Sequence, residues 1–164
     1  MGSMRFVSPS GSLSEESVDQ AYLAGYDRIP WRADLRLVED ELLVERQGSE
    51  SGNLYIPWHV NGHGRITLST ASLMDRQEPY FLPVELARGK LSQLRNQISE
   101  WALSGIEIPD LVHQITIQAT SRFGEATCRL QSPAAAVAAA PVPCRNRRRE
   151  RLSVSVIHPR VTNL

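Results

Sequence analysis

Two histidines four residues apart, His59 and His63, flank a short turn, and Arg65 follows two positions later. Imidazole nitrogens are common zinc ligands. Residues directly opposite on paired strands have Cβ atoms ~4.5–5.5 Å apart, close enough for two imidazoles to share one zinc ion. Zinc would lower the pKa of a bound water towards ~7 and so supply a nucleophile. The Arg65 cation on the same face would stabilise developing oxyanion charge. Together these residues would suit a small metal-dependent hydrolase of activated phosphoesters or carboxylesters, although no HExxH-type motif is present. A catalytic zinc needs a third protein ligand; Asp75, Glu78, Glu85 and His113 have the right chemistry, but their positions depend on the fold. Paired histidines beside a turn are more often plain surface residues, so a non-catalytic protein without cofactor is the first expectation and zinc the alternative.

Four aromatic residues offer a second chemistry. Trp31, Tyr55, Trp58 and Tyr80 have the flat apolar faces on which sugar rings stack. Strand alternation turns Trp58 into the core with Leu54, Ile56 and Val60, and turns Tyr55 outward. Tyr55, Tyr80 and Trp31 are therefore the carbohydrate-binding candidates. Glu85 and Arg88, one helical turn apart, read as a solvated ion pair. The chain has no glycine-rich phosphate loop and no GxSxG elbow. Its two cysteines, Cys128 and Cys144, form no CxxC motif and make no disulfide framework.

The elements that must position these residues follow from hydrophobic periodicity. Leu35 and Leu37 alternate with Asp34 and Arg36, the Glu39-Asp40-Glu41 segment turns, and Leu42-Leu43-Val44 returns, which predicts a hairpin. Gly48 to Gly52 is a loop. A second hairpin joins residues 54–60 to 64–68. A two-residue turn would put its two apolar sets on opposite faces, which a half-buried sheet does not tolerate. A three-residue Val60-Asn61-Gly62 loop puts 54, 56, 58, 66 and 68 on one face and makes His59 and His63 direct neighbours.

After Pro79 the period changes. Val84, Ala87, Leu91, Leu94, Ile98 and Trp101 recur at alternating spacings of three and four, a helical seam over about 83–104 that Gly105 closes. A second helix is predicted over 109–123, although Ile115-Thr116-Ile117 is β-branched. Gly89 should weaken the first helix by ~1 kcal/mol. The expected architecture is α+β, an antiparallel sheet of hairpins over about residues 5–72 packed with two C-terminal helices. The seam needs an apolar partner, and a second copy of the chain is one, so a homo-oligomer is expected.

The 164 residues are 41% hydrophobic and 22% charged, ordinary values for one globular domain. No apolar run approaches the ~20 residues of a membrane span, and no secretory signal is visible, so a cytoplasmic protein without membrane contact is expected. The zero net charge hides an asymmetry: residues 145–164 carry six arginines and one acid. This short run lacks interleaved aromatics, and nucleic acid is not an expected partner. Met1-Gly2-Ser3, ahead of Met4, reads as a cloning remnant outside the fold.

Residues 68–80 (LSTASLMDRQEPY) and 82–97 (LPVELARGKLSQLRNQ), with AYLAGYDRIPW at 21–31 and Ile56-Pro57-Trp58, resemble the amino-terminal region of bacterial endo-1,4-β-xylanase-like proteins of glycoside hydrolase family ten. The resemblance covers about residues 4–123. It implies a non-catalytic accessory domain, with polysaccharide as a partner, that precedes a catalytic barrel. The barrel and its catalytic carboxylates have no counterpart here. The Ala/Pro/Arg-rich segment 124–164 departs from the pattern and reads as a truncated or out-of-frame ending.

Overall fold

The computed structural model of the chain describes residues 2–9 and 11–131, the side chains of 129–131 excepted. It is an α+β domain with two sheets and a long helical hairpin. In chain order the elements are β1 (Gly2–Val7), α1 (Glu15–Asp19), β2 (Tyr22–Ala24), β3 (Ala33–Val38), β4 (Glu41–Arg46), β5 (Asn53–Val60), β6 (Gly64–Ser69), β7 (Tyr80–Phe81), α2 (Leu82–Leu103) and α3 (Asp110–Gln131). The expected single sheet is instead a four-stranded sheet, β3-β4-β1-β7, and a three-stranded sheet, β2-β5-β6.

All pairs are antiparallel except β1 with β7. The β3–β4 hairpin has the expected turn, with Val38 opposite Glu41. Its two-residue loop needs a left-handed backbone, which Glu39 adopts at φ 56°. In the larger sheet Met4 pairs with Val44 and Phe6 with Leu42. These four and Leu23, Leu54, Ile56 and Leu68 of the smaller sheet lie in one core, every one fully buried or nearly so. Gly2 and Ser3, expected to stand outside the fold, extend β1, and Gly2 pairs with Arg46. Gly2 and Arg46 sit at the inward phase of their strands, in register with Met4, Phe6, Val44 and Leu42, so the core-facing alternation carries the strand to residue 2.

Two short strands had no periodicity to announce them. β2 pairs with β5 through Tyr22–Tyr55, and β7 lies beside Phe6, so both depend on tertiary partners. Ser14 caps α1, accepting a hydrogen bond from the Ser17 amide. Helix α2 ends as expected: the Ile106 amide reaches the Trp101 carbonyl and Gly105 adopts φ 77°, the pattern of a Schellman cap.

α3 runs eight residues past its expected end at 123 and through Gly124. One exposed glycine costs a helix only ~1 kcal/mol. The β-branched stretch is helical all the same, half-buried against α2 at Ile115 and Thr116, and its threonine hydroxyls are satisfied within the helix. Thr116 Oγ1 donates to the Val112 carbonyl and Thr120 Oγ1 to the Thr116 carbonyl, both at 2.7 Å. Cys144, the arginine run 145–151 and the rest of the segment after 131 lie outside the described residues. Among the described residues no helix is long and apolar enough to cross a membrane.

The start of α2 docks onto the sheets through Leu82, Glu85, Leu86 and Gly89. Gly89 is required there, because a Cβ would overlap the Ser69 carbonyl oxygen and stand 2.5 Å from the Thr70 carbonyl carbon. The expected weak point of the helix is thus its closest approach to the body. Gln93 Nε2 adds a 2.6 Å hydrogen bond to Ser69 Oγ. Beyond this point the described element that covers α2 is α3.

Candidate functional site

The β5–β6 hairpin keeps the expected faces in a different register. Ile56 lies opposite Leu68, Trp58 opposite Ile66 and Val60 opposite Gly64. His59 therefore faces Arg65, and His63 sits in the loop, its amide donating to the Val60 carbonyl at 3.0 Å. His59 and His63 are not cross-strand neighbours. A shift of two residues preserves the apolar face, so hydrophobic patterning does not separate the two registers. The turn decides: Gly62 and Gly64 both take positive φ, 82° and 75°, which suits an Asn61-Gly62-His63 loop.

The other parts of the expected zinc site are occupied elsewhere. Arg65 Nη1 donates to Glu16 Oε1 at 2.5 Å and Nη2 reaches Ser17 Oγ at 3.3 Å. Asp75 binds Arg46, Glu85 binds Arg88, Glu78 is exposed, and His113 is exposed on α3. Among the described residues no three His, Cys, Asp or Glu side chains form a group able to hold a metal ion.

The aromatic candidates also separate. Tyr80 is buried against Phe6, its hydroxyl donates to the Met74 carbonyl at 2.9 Å, and Arg76 covers its ring at 3.4 Å. Trp31 is half-buried, with the Arg46 guanidinium 5.3 Å from its ring centre. Tyr55 is half-buried and stacks on Tyr22 at 4.8 Å with ring planes 2° apart. The outward aromatic feature of the smaller sheet is therefore the Tyr22–Tyr55 pair, and Tyr22 escaped a sequence reading that saw no strand there.

Sequence reasoning also missed a buried ion pair. Arg46 Nη2 donates to Asp75 Oδ1 at 2.8 Å, and the arginine side chain is 1% exposed. Its Nε and Nη1 have no hydrogen-bond partner among the described residues. A visible signal existed: Arg46 continues the inward phase of Leu42 and Val44. Glu85 is likewise no solvated partner of Arg88. Its side chain is 5% exposed, with one oxygen 2.6 Å from Arg88 Nη2 and the other without a hydrogen-bond partner among the described residues. Burial pushes its carboxyl above the usual glutamate range, against the pull of Arg88 and Arg76.

The third candidate surface is the helical hairpin itself. The seam residues Val84, Ala87, Leu91, Leu94 and Ile98 are only half-buried, and Trp101 is exposed. They face Val112, Ile115, Ala119, Phe123 and Ala126, which recur at helical spacing on α3 and are half-buried too. Leu103, Ile106, Leu111 and Ile117 are more than half exposed.

Compared with family models, with curated proteins and with solved structures, the chain matches none.

Proposed function

We propose that this domain is a non-catalytic accessory module that acts by association, and that it associates first with a second copy of itself. One observation carries the reading. From Leu91 onward, no apolar side chain described on α2 or α3 is fully buried, although their spacing is that of a packed helical seam. Two helices alone cover each other along one line, whereas a bundle core needs three or four. Light scattering over a concentration series tests it. The expected result is a dimer at micromolar concentration; a strict monomer through the millimolar range overturns it.

A second reading, β-glycan binding, is favoured by the Tyr22–Tyr55 pair. Two parallel rings, Tyr22 on edge strand β2 and Tyr55 on central strand β5, offer a flat aromatic surface to an apolar sugar face, and His59 follows Tyr55 on the same side of β5. This reading keeps the accessory role that the xylanase-like resemblance implies, with Tyr55 in place and without Trp31 or Tyr80. Affinity electrophoresis on xylan and related glucans should show retardation that Tyr55→Ala removes. Unretarded migration on every glycan ends it.

A further inference from the structure

Strand register builds the outer face of the larger sheet residue by residue. Asp34 stands beside Glu45 and Ser3, Arg36 beside Leu43 and Arg5, and Val38 beside Glu41 and Val7, with Phe81 next to Val7. Met4, Phe6, Leu42 and Val44 take the inward phase of the same strands, so this set points outward. Val38 is 53% exposed, and Val7 and Leu43 are half-buried. These three apolar side chains line a groove of about 560 Å³ together with Glu39, Asp40 and Glu41 of the β3–β4 turn. The face and its turn carry five acids, Asp34, Glu39, Asp40, Glu41 and Glu45, against two arginines. Both arginines lie beside acids of the same face, Arg5 at 4.0 Å from Glu41 and Arg36 hydrogen-bonded to Asp34. The groove is therefore apolar below and net acidic at its rim.

We propose that the arginine run at 145–151 of the same chain lies along this groove. The run holds five arginines and one glutamate, the charge complement of the rim. An arginine suits the site twice over, because its stem packs on apolar side chains while its planar fork pairs with a carboxylate. Val7, Val38 and Leu43 offer the first, and the acids of the turn offer the second. Chain length favours the same place. Arg95 Nη2 reaches Thr120 Oγ1 at 3.3 Å, and in an antiparallel helix pair that contact sets Gln131 level with Val84, at the foot of α2. The row Phe81, Val7, Glu41, Val38 begins at that foot. From Gln131 to Val38 is one helix spacing and three strand spacings, ~25 Å. The thirteen residues 132–144 span at most ~45 Å. A competing acidic group, Glu100, Glu107 and Asp110 at the hairpin tip, lies a helix length away at ~33 Å and would use about three quarters of that reach. The contact is made within one copy and does not depend on the association reading.

The test uses the full-length protein with Cys128→Ser, which leaves Cys144, next to the arginine run, as its one thiol. Val38→Cys then places a second thiol at the groove, and Asn61→Cys places one on the exposed β5–β6 loop for comparison. A disulfide needs Cα atoms within ~7 Å. At low salt, Val38→Cys should oxidise to an internal disulfide at least tenfold faster than Asn61→Cys. The advantage should disappear in about 1 M salt, where the Debye length is ~3 Å. It should disappear too when Glu39→Gln, Asp40→Asn and Glu41→Gln are added; the salt arm leaves the turn intact and decides even if that variant unfolds. Equal rates at the two positions overturn the proposal, as does an advantage that ignores salt or survives loss of the carboxylates. A disulfide that forms only between copies also overturns it, because the groove would then be filled by another chain.

Discussion

The two halves of this domain are built from similar apolar residues and end with different amounts of water around them. In the sheets, Met4, Phe6, Leu42, Leu54 and Ile56 lose all contact with solvent. In the helical hairpin, Leu91, Leu94, Ile98, Ile115 and Phe123 lose only part of it. The difference lies in geometry. Two sheets enclose a core from both sides, whereas two helices touch along one line and leave their flanks open. The body is therefore self-sufficient, and the hairpin holds an unused capacity for burial.

The largest expected effect breaks the body. Asp75→Ala leaves the Arg46 guanidinium buried without its counter-charge, at a cost of about 3–5 kcal/mol. Chemical denaturation should show it. The double variant Arg46→Met with Asp75→Ala should recover most of the loss, and a double as unstable as the single would refute the account. Next comes a matched truncation in both halves. Leu54→Ala should cost about 3 kcal/mol, and Leu94→Ala about 1 kcal/mol when measured on the monomer. Equal losses would erase the distinction between the two regions.

Gly89→Ala sharpens the boundary between them. Helix propensity alone favours the alanine by ~1 kcal/mol, but its Cβ would press into the Ser69–Ala71 backbone. Overpacking there should leave a net loss of about 1–2 kcal/mol. Greater thermal stability in this variant would mean that α2 does not dock as closely as described.

The smallest effect concerns Glu85, whose carboxyl is raised by burial. The folded state then holds the proton more tightly than the unfolded state. Its contribution favours the fold below the ordinary glutamate pKa and is lost as pH rises through the raised value. Glu85→Gln should stabilise the domain by about 1 kcal/mol at pH 7, and the gain should vanish below about pH 4. Denaturation midpoints at both pH values check this; a gain independent of pH would contradict it.

What was legible in the sequence was periodicity, and what was not were partners. The β3–β4 hairpin, the buried face of β5 and the two helices all follow from spacings of two or of three and four. The β5–β6 register escaped because a two-residue slip leaves the same side chains facing inward. That slip alone took His59 from His63 and gave it Arg65. Tyr22–Ala24 and Tyr80–Phe81 escaped because strands of three and two residues are made by their neighbours. Glu85 and Arg88 illustrate the same limit. Their spacing as a pair was readable, but the burial of the glutamate depends on a sheet that touches one side of α2 and not the other.

β1 sits between β4 and β7, so its partners lie about forty and about seventy-five residues further along the chain. During synthesis, then, Met4 and Phe6 emerge long before anything can cover them, and the larger sheet cannot close until Phe81 has left the ribosome. Such distant pairings are slow, whereas a hairpin of adjacent helices zips together through local contacts in microseconds. The part of the molecule that is least buried at equilibrium should thus be the first to take shape after dilution from denaturant. The first strand, exposed and apolar until its late partner arrives, is where aggregation competes with folding.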